Sequence, residues 1–162
     1  MGKRFAIVIG VAAAGVMALG AQTAAAEAKT IKYTSEFKTS PVSTANGYPS
    51  PGGTAEFAGS VKLKPGGAGA LVDRVTITEQ LAPNMFAFEG KETDFSKFGT
   101  LRSKLEGTAT VQADGSQQIA TEGRFTGGTG RYQGASGRYE SSSTVAPGST
   151  VTVGSSKGKY SY

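Results

Sequence analysis

The sequence predicts an all-β domain of seven or eight antiparallel strands, arranged as a sandwich or a barrel. Three observations predict it. Apolar and polar residues alternate with period two along most of the chain. Gly and Pro turn signals interrupt that alternation at strand-length intervals. Beyond the first 26 residues, no stretch of ten or more keeps a helical period with caps.

The N-terminus reads differently. Met1-Gly2-Lys3-Arg4 is a short basic start, an apolar run follows from Phe5 to Leu19, and small residues close it at Ala24-Ala25-Ala26. That order is the pattern of a secretory signal peptide. The apolar run of about 15 residues falls short of the roughly 20 that span a bilayer. Residues 1–26 are therefore read as a removable signal, cleaved after Ala26 or Ala28, and 27–162 as one domain. No later segment is apolar enough to span a membrane, so the mature protein is expected to be secreted or periplasmic.

The strands follow in order. Ile31, Tyr33, Ser35 and Phe37 share one face of the first. Pro41 to Gly53 is rich in breakers and reads as a loop. Thr54 to Lys64 places Phe57, Gly59, Val61 and Leu63 together, and Pro65-Gly66-Gly67 turns the chain. Ala70 to Gln80 carries Leu71, Asp73, Val75, Ile77 and Glu79 on one face. Pro83-Asn84 breaks it, Met85 to Glu92 follows, and Asp94 to Gly99 reads as a loop anchored by Phe95 and Phe98. Leu101 to Val111 alternates most clearly. Asp114-Gly115 is a hairpin signal, and Gln117 to Phe125 returns. Arg131 to Val145 is a strand weakened by Gly134 and Gly137. Pro147-Gly148 turns the chain into the last strand, Thr150 to Tyr162.

Composition removes several chemistries. The chain has no cysteine and no histidine. Zinc sites built on those residues, a Ser-His-Asp triad and a Cys-His pair are therefore excluded. No metal and no cofactor is expected. The formal charge is +5, from 17 basic against 12 acidic residues. Lys3 and Arg4 leave with the signal, so the mature balance is 15 against 12, or +3. The basic residues are scattered along the sequence, without the block that marks a nucleic-acid partner.

One segment stands apart. Gly123-Arg124-Phe125, Gly130-Arg131-Tyr132 and Gly137-Arg138-Tyr139 repeat a Gly-Arg-aromatic triplet every seven residues. It lacks the Lys-Ser or Lys-Thr of a phosphate loop and is too short for an RNA-binding tract. Its glycines, Gly127, Gly128, Gly130, Gly134 and Gly137, read as a structural turn between two strands. The run Gly127-Gly128-Thr129-Gly130-Arg131-Tyr132-Gln133-Gly134-Ala135-Ser136-Gly137, with Gly107-Thr108-Ala109-Thr110 and Asp114-Gly115-Ser116 before it, resembles the late-strand signature of the allene oxide cyclase and dirigent barrels. The resemblance covers about 30 residues, Gly107 to Gly137. It implies an eight-stranded antiparallel barrel with a cavity, and trimeric assembly. It transfers no catalytic residue: the plant cyclases pair a buried carboxylate with a cysteine, and this chain has none.

Any site inside such a barrel needs polar groups on an otherwise apolar face. Tyr33, Asp73 and Glu79 meet that condition and are the candidate ligand-binding residues. Arg74, Arg102 and Arg124 fall on the opposite faces. Three functions remain open. The leading one is an exported, non-enzymatic barrel that binds a small apolar ligand or serves the cell envelope. The others are a cofactor-free isomerase or cyclase of the allene oxide cyclase or dirigent type, and a self-assembling interaction module.

Overall fold

The computed structural model describes residues 29–162, so the segment read as a signal peptide lies outside the described residues. Eight antiparallel strands form one closed barrel: β1 (Thr30–Ala45), β2 (Thr54–Lys64), β3 (Gly67–Ala82), β4 (Met85–Ser96), β5 (Gly99–Val111), β6 (Gln117–Gly128), β7 (Ser136–Val145) and β8 (Thr152–Ser161). Each strand pairs with its neighbours in sequence. The barrel closes where β1 meets β8, from Thr30 opposite Ser161 to Thr39 opposite Thr152. Closure leaves no strand edge unpaired, which removes the usual template for edge-to-edge aggregation.

Period-two alternation sets which residues fill the barrel. Leu63 of β2, Leu71 of β3, Leu101 of β5, Phe125 of β6 and Tyr160 of β8 are buried and form one cluster with Tyr33 and Tyr139. Tyr33 and Tyr160 each pack edge to face on Phe125, Tyr33 at 4.9 Å and 72°. A smaller cluster of Ile77, Phe88 and Leu105 lies towards the other end.

The two ends differ. The glycine-rich segment crosses the closed end, where a single 3-10 turn, Gly130–Tyr132, carries Tyr132 into the barrel. The Tyr132 hydroxyl donates to the Pro65 carbonyl at 3.1 Å and lies 3.4 Å from Ser96 Oγ. Outside this plug, Arg131 stacks on Phe98 with its guanidinium carbon 4.2 Å from the ring centre. Gly127, Gly130, Gly134 and Gly137 all take positive φ here. At Gly128 the constraint is proximity: a Cβ would run into the Thr100 carbonyl.

Several boundaries differ from the sequence reading: of the glycines read as a turn, Gly127 and Gly128 end β6 and Gly137 lies in β7, while Gly67 begins β3. β1 runs on to Ala45, because a bulge between Pro41 and Ser43 absorbs the proline at the sheet's edge of regularity. β4 continues through Asp94 to Ser96, since its partners on β3 and β5 stay in register to Gly69 and Gly99. The segment read as strand from Arg131 instead begins with the Tyr132 turn and becomes strand only at Ser136.

Candidate functional site

The open end holds a cavity of about 260 Å³ inside the barrel. Its walls are mostly apolar: Phe37, Phe57, Val75, Ile77, Phe88, Leu105, Ala109 and Ile119 line it, with Tyr48 of the β1–β2 loop near the mouth. Glycines make room for the rings that line it. At Gly107 an added Cβ would meet the Phe88 ring, and at Gly154 it would meet Phe37. No lysine or arginine lines the cavity.

Two carboxyl groups and a phenol stand in that apolar wall. Asp73 of β3 and Glu92 of β4 are direct cross-strand partners, so the register places the two carboxyls side by side. Tyr139 reaches them from β7. Its hydroxyl donates to Glu92 Oε1 at 3.2 Å and lies 3.0 Å from Ser103 Oγ, which donates in turn. One layer deeper, Asp94 opposes Leu71, and the Tyr33 hydroxyl donates to Asp94 Oδ2 at 3.1 Å.

No cation compensates these acids, so burial dominates their ionisation. Desolvation and, after it, the nearby Asp94 carboxyl raise Asp73 to about 7, against a hydrogen bond with Glu92 that lowers it. Desolvation raises Glu92 to about 8, with Asp73 adding to the rise and the Tyr139 hydroxyl opposing it. Asp94 is pushed well above the carboxylate range by burial and by Glu92. Burial and the same carboxyls raise the Tyr33 and Tyr139 phenols. At neutral pH Glu92 is therefore mostly protonated and Asp73 titrates, so the adjacent pair holds at least one proton that can lie between them. That accounts for Asp73 Oδ1, which is shielded from solvent and has no N–H or O–H donor within reach. Asp94 Oδ1 is likewise buried without such a donor, as fits a protonated acid.

The candidates separate in space. Asp73 lines the cavity. Tyr33 is 2% exposed beneath it, holding Asp94 rather than facing the open space. Glu79 is on the outside: a bulge between Ile77 and Glu79 reverses the alternation, and Glu79 pairs with Ala87 rather than continuing the inward row. The residues that complete the site are Glu92, Asp94 and Tyr139. Phe86, Phe88, Gly90, Glu92 and Asp94 share one parity: Glu92 already ended the strand read from the sequence, and extending it by two residues adds Asp94. No group of three or more His, Cys, Asp or Glu among the described residues is arranged to hold a metal ion.

Loss of the central phenol gives a direct check. Tyr139→Phe is expected to cost about 1–2 kcal/mol, because Ser103 and Glu92 each lose a buried partner. It is also expected to push the Glu92 titration higher, since the Tyr139 hydroxyl holds it down. Chemical denaturation and carboxyl-resolved NMR titration read the two effects separately.

No family model matches the chain, and no curated protein matches it. Among solved structures, AbnU, an exo-specific intermolecular Diels-Alderase, superposes with a TM-score of 0.49 and 16% identity, over 80% of this chain and 98% of its own. None of these comparisons places the chain in the allene oxide cyclase or dirigent family.

Proposed function

We propose that the barrel binds one small, largely apolar and uncharged molecule, acting outside the cytoplasm as the N-terminal signal pattern suggests. The observation that carries this reading is the geometry: the buried Asp73 and Glu92 carboxyls stand side by side with Tyr139 on Glu92, in a cavity that no cation lines, and burial raises both acids toward their neutral forms. Protonated carboxyls donate hydrogen bonds, so they suit an acceptor such as a carbonyl or ether oxygen. An anionic ligand would face acidic groups with no compensating charge. The cavity is smaller than the ~300–1,000 Å³ of common small-molecule pockets, which favours a compact ring system.

The test uses cyclic ketones and the carboxylates of matching shape as probes, with calorimetry as readout. The ketone is expected to bind and the carboxylate to bind at least tenfold more weakly. Ala109→Phe, which fills the cavity from β5 without touching the acids, is expected to abolish binding. Ketone affinity unchanged by Ala109→Phe, or equal affinity for both probes, would sink the proposal.

A second reading is a cofactor-free isomerase or cyclase. It is favoured by one feature: Asp73, at the cavity wall, titrates near neutrality and so can both give and take a proton. The proton given to one substrate atom returns from another, so the product is an isomer and needs no co-reactant. Native mass spectrometry of protein from its own host would identify any retained molecule. Asp73→Asn should then stop turnover while leaving binding within a fewfold.

A further inference from the structure

Four adjacent strands repeat one charge pattern on the outer wall. β4 carries Glu89 and Lys91, β5 Lys104 and Glu106, β6 Glu122 and Arg124, and β7 Arg138 and Glu140. All eight side chains are exposed. The register sets Lys91 opposite Lys104, Lys104 opposite Arg124, and Arg124 opposite Arg138. It equally sets Glu89 opposite Glu106, Glu106 opposite Glu122, and Glu122 opposite Glu140. The outcome is a row of four cations beside a row of four anions.

This is the wrong pattern for holding one barrel together. Like charges directly opposite on neighbouring strands destabilise a sheet, and unlike charges stabilise it. Exchanging the two charged residues on β5 and on β7 would have placed a cation opposite an anion at every step. Among the described residues, only Glu140 of the eight makes an ion pair, with Lys157 of β8 at 3.8 Å. The other seven find no ion-pair partner among the described residues.

The pattern suits a second copy. We propose that this face is where two copies of the chain dock, about a two-fold axis that lies between the two rows and runs parallel to them. That rotation lays the cation row of each copy on the anion row of the other. Lys104 then meets Glu106 of the second copy, and Arg124 meets Glu122, while the charges of β4 and β7 lie on the shoulders of the convex wall and steer the approach. A two-fold axis along the strands would lay like on like, so the charges select one arrangement. Beyond β7 and β4 the cation row continues, to Lys159 and Arg74, but the anion row stops. Those strands lie where the convex wall falls away from the contact. A linear polyanion is the poorer occupant, because the glutamate row would repel it from about 7 Å, two residues along each strand.

Sedimentation velocity tests the docking. A dimer is expected at about 20 mM salt, weakening at least tenfold at about 500 mM as the charges are screened. The double variants Lys104→Glu/Arg124→Glu and Glu106→Lys/Glu122→Lys are each expected to be monomeric. Circular dichroism melts establish that both are folded. An equimolar mixture of the two is expected to dimerise again, because each supplies the row that the other now needs. A wild-type chain that stays monomeric at low salt overturns the proposal. So does a dimer or trimer that the reversals leave intact, or a mixture that stays monomeric.

Discussion

The barrel is expected to lose stability as pH rises from about 4 to about 8. The direction follows from the buried acids. Asp73 and Glu92 titrate near their ordinary values of 3.8 and 4.5 when unfolded, and at about 7 and about 8 when folded. Between those limits the folded state holds protons that the unfolded state has released. Stability then falls with pH, at a limiting slope of about 1.4 kcal/mol per unit for each retained proton. The contribution is fully present below about pH 4 and is lost once both groups ionise above about 8. Asp94, also raised, acts in the same direction. Asp114, on the exposed hairpin, is lowered by its hydrogen bonds to Ser116, so its contribution is lost only below its ordinary value, outside this window. Urea denaturation at pH 5 and pH 8 should differ by at least about 3 kcal/mol in favour of pH 5. The double variant Asp73→Asn/Glu92→Gln should remove most of the slope, leaving the share of Asp94. A wild-type barrel equally stable or more stable at pH 8 would show that these carboxyls are ionised and compensated.

That pH dependence is a property of three acids, of which the sequence reading singled out only Asp73, although Glu92 already ended the strand read from Met85, on the side of Phe86 and Phe88. Asp73 stands out because Leu71, Val75 and Ile77 flank it in an uninterrupted row. Glu79 belongs to the same row by counting, but one extra residue at the bulge turns it outward, and no composition signal at Thr78 announces that. Asp94 was obscured for the opposite reason. Asp94-Phe95-Ser96-Lys97-Phe98-Gly99 has turn composition, yet pairing on both sides keeps Asp94 in the strand. Tyr139 follows Gly134 and Gly137, which weaken the apparent strand while in fact positioning its start. The barrel was more legible than its contents. Strand count depends on alternation within each segment, whereas the site depends on which segments face each other across the closed sheet. The charge rows on the wall show the same limit: each Glu–x–basic or basic–x–Glu triplet is unremarkable alone, and only register aligns them.

The last prediction joins the backbone to the site. Gly123 of β6 lies opposite Tyr139 of β7 and is buried, and a Cβ built there would overlap the Tyr139 ring. The ring therefore lies flat on bare backbone, and the glycine is what lets the phenol reach Glu92 and Ser103. Gly123→Ala forces the ring to tilt or the strands to part. Overpacking of this kind costs about 1–3 kcal/mol. The displaced hydroxyl also forfeits its buried partners, adding about 1 kcal/mol. The melting temperature should fall on the order of 10 °C for a domain of this size. The cause can be isolated. In a Tyr139→Ala background the ring is gone, so Gly123→Ala should cost much less there, leaving a coupling energy above about 1 kcal/mol. Equal costs in both backgrounds would mean that the alanine acts on the strand itself and that the tyrosine is seated by other contacts. Coupling of the expected size would make a single missing methyl group the determinant of where the cavity's proton donor stands.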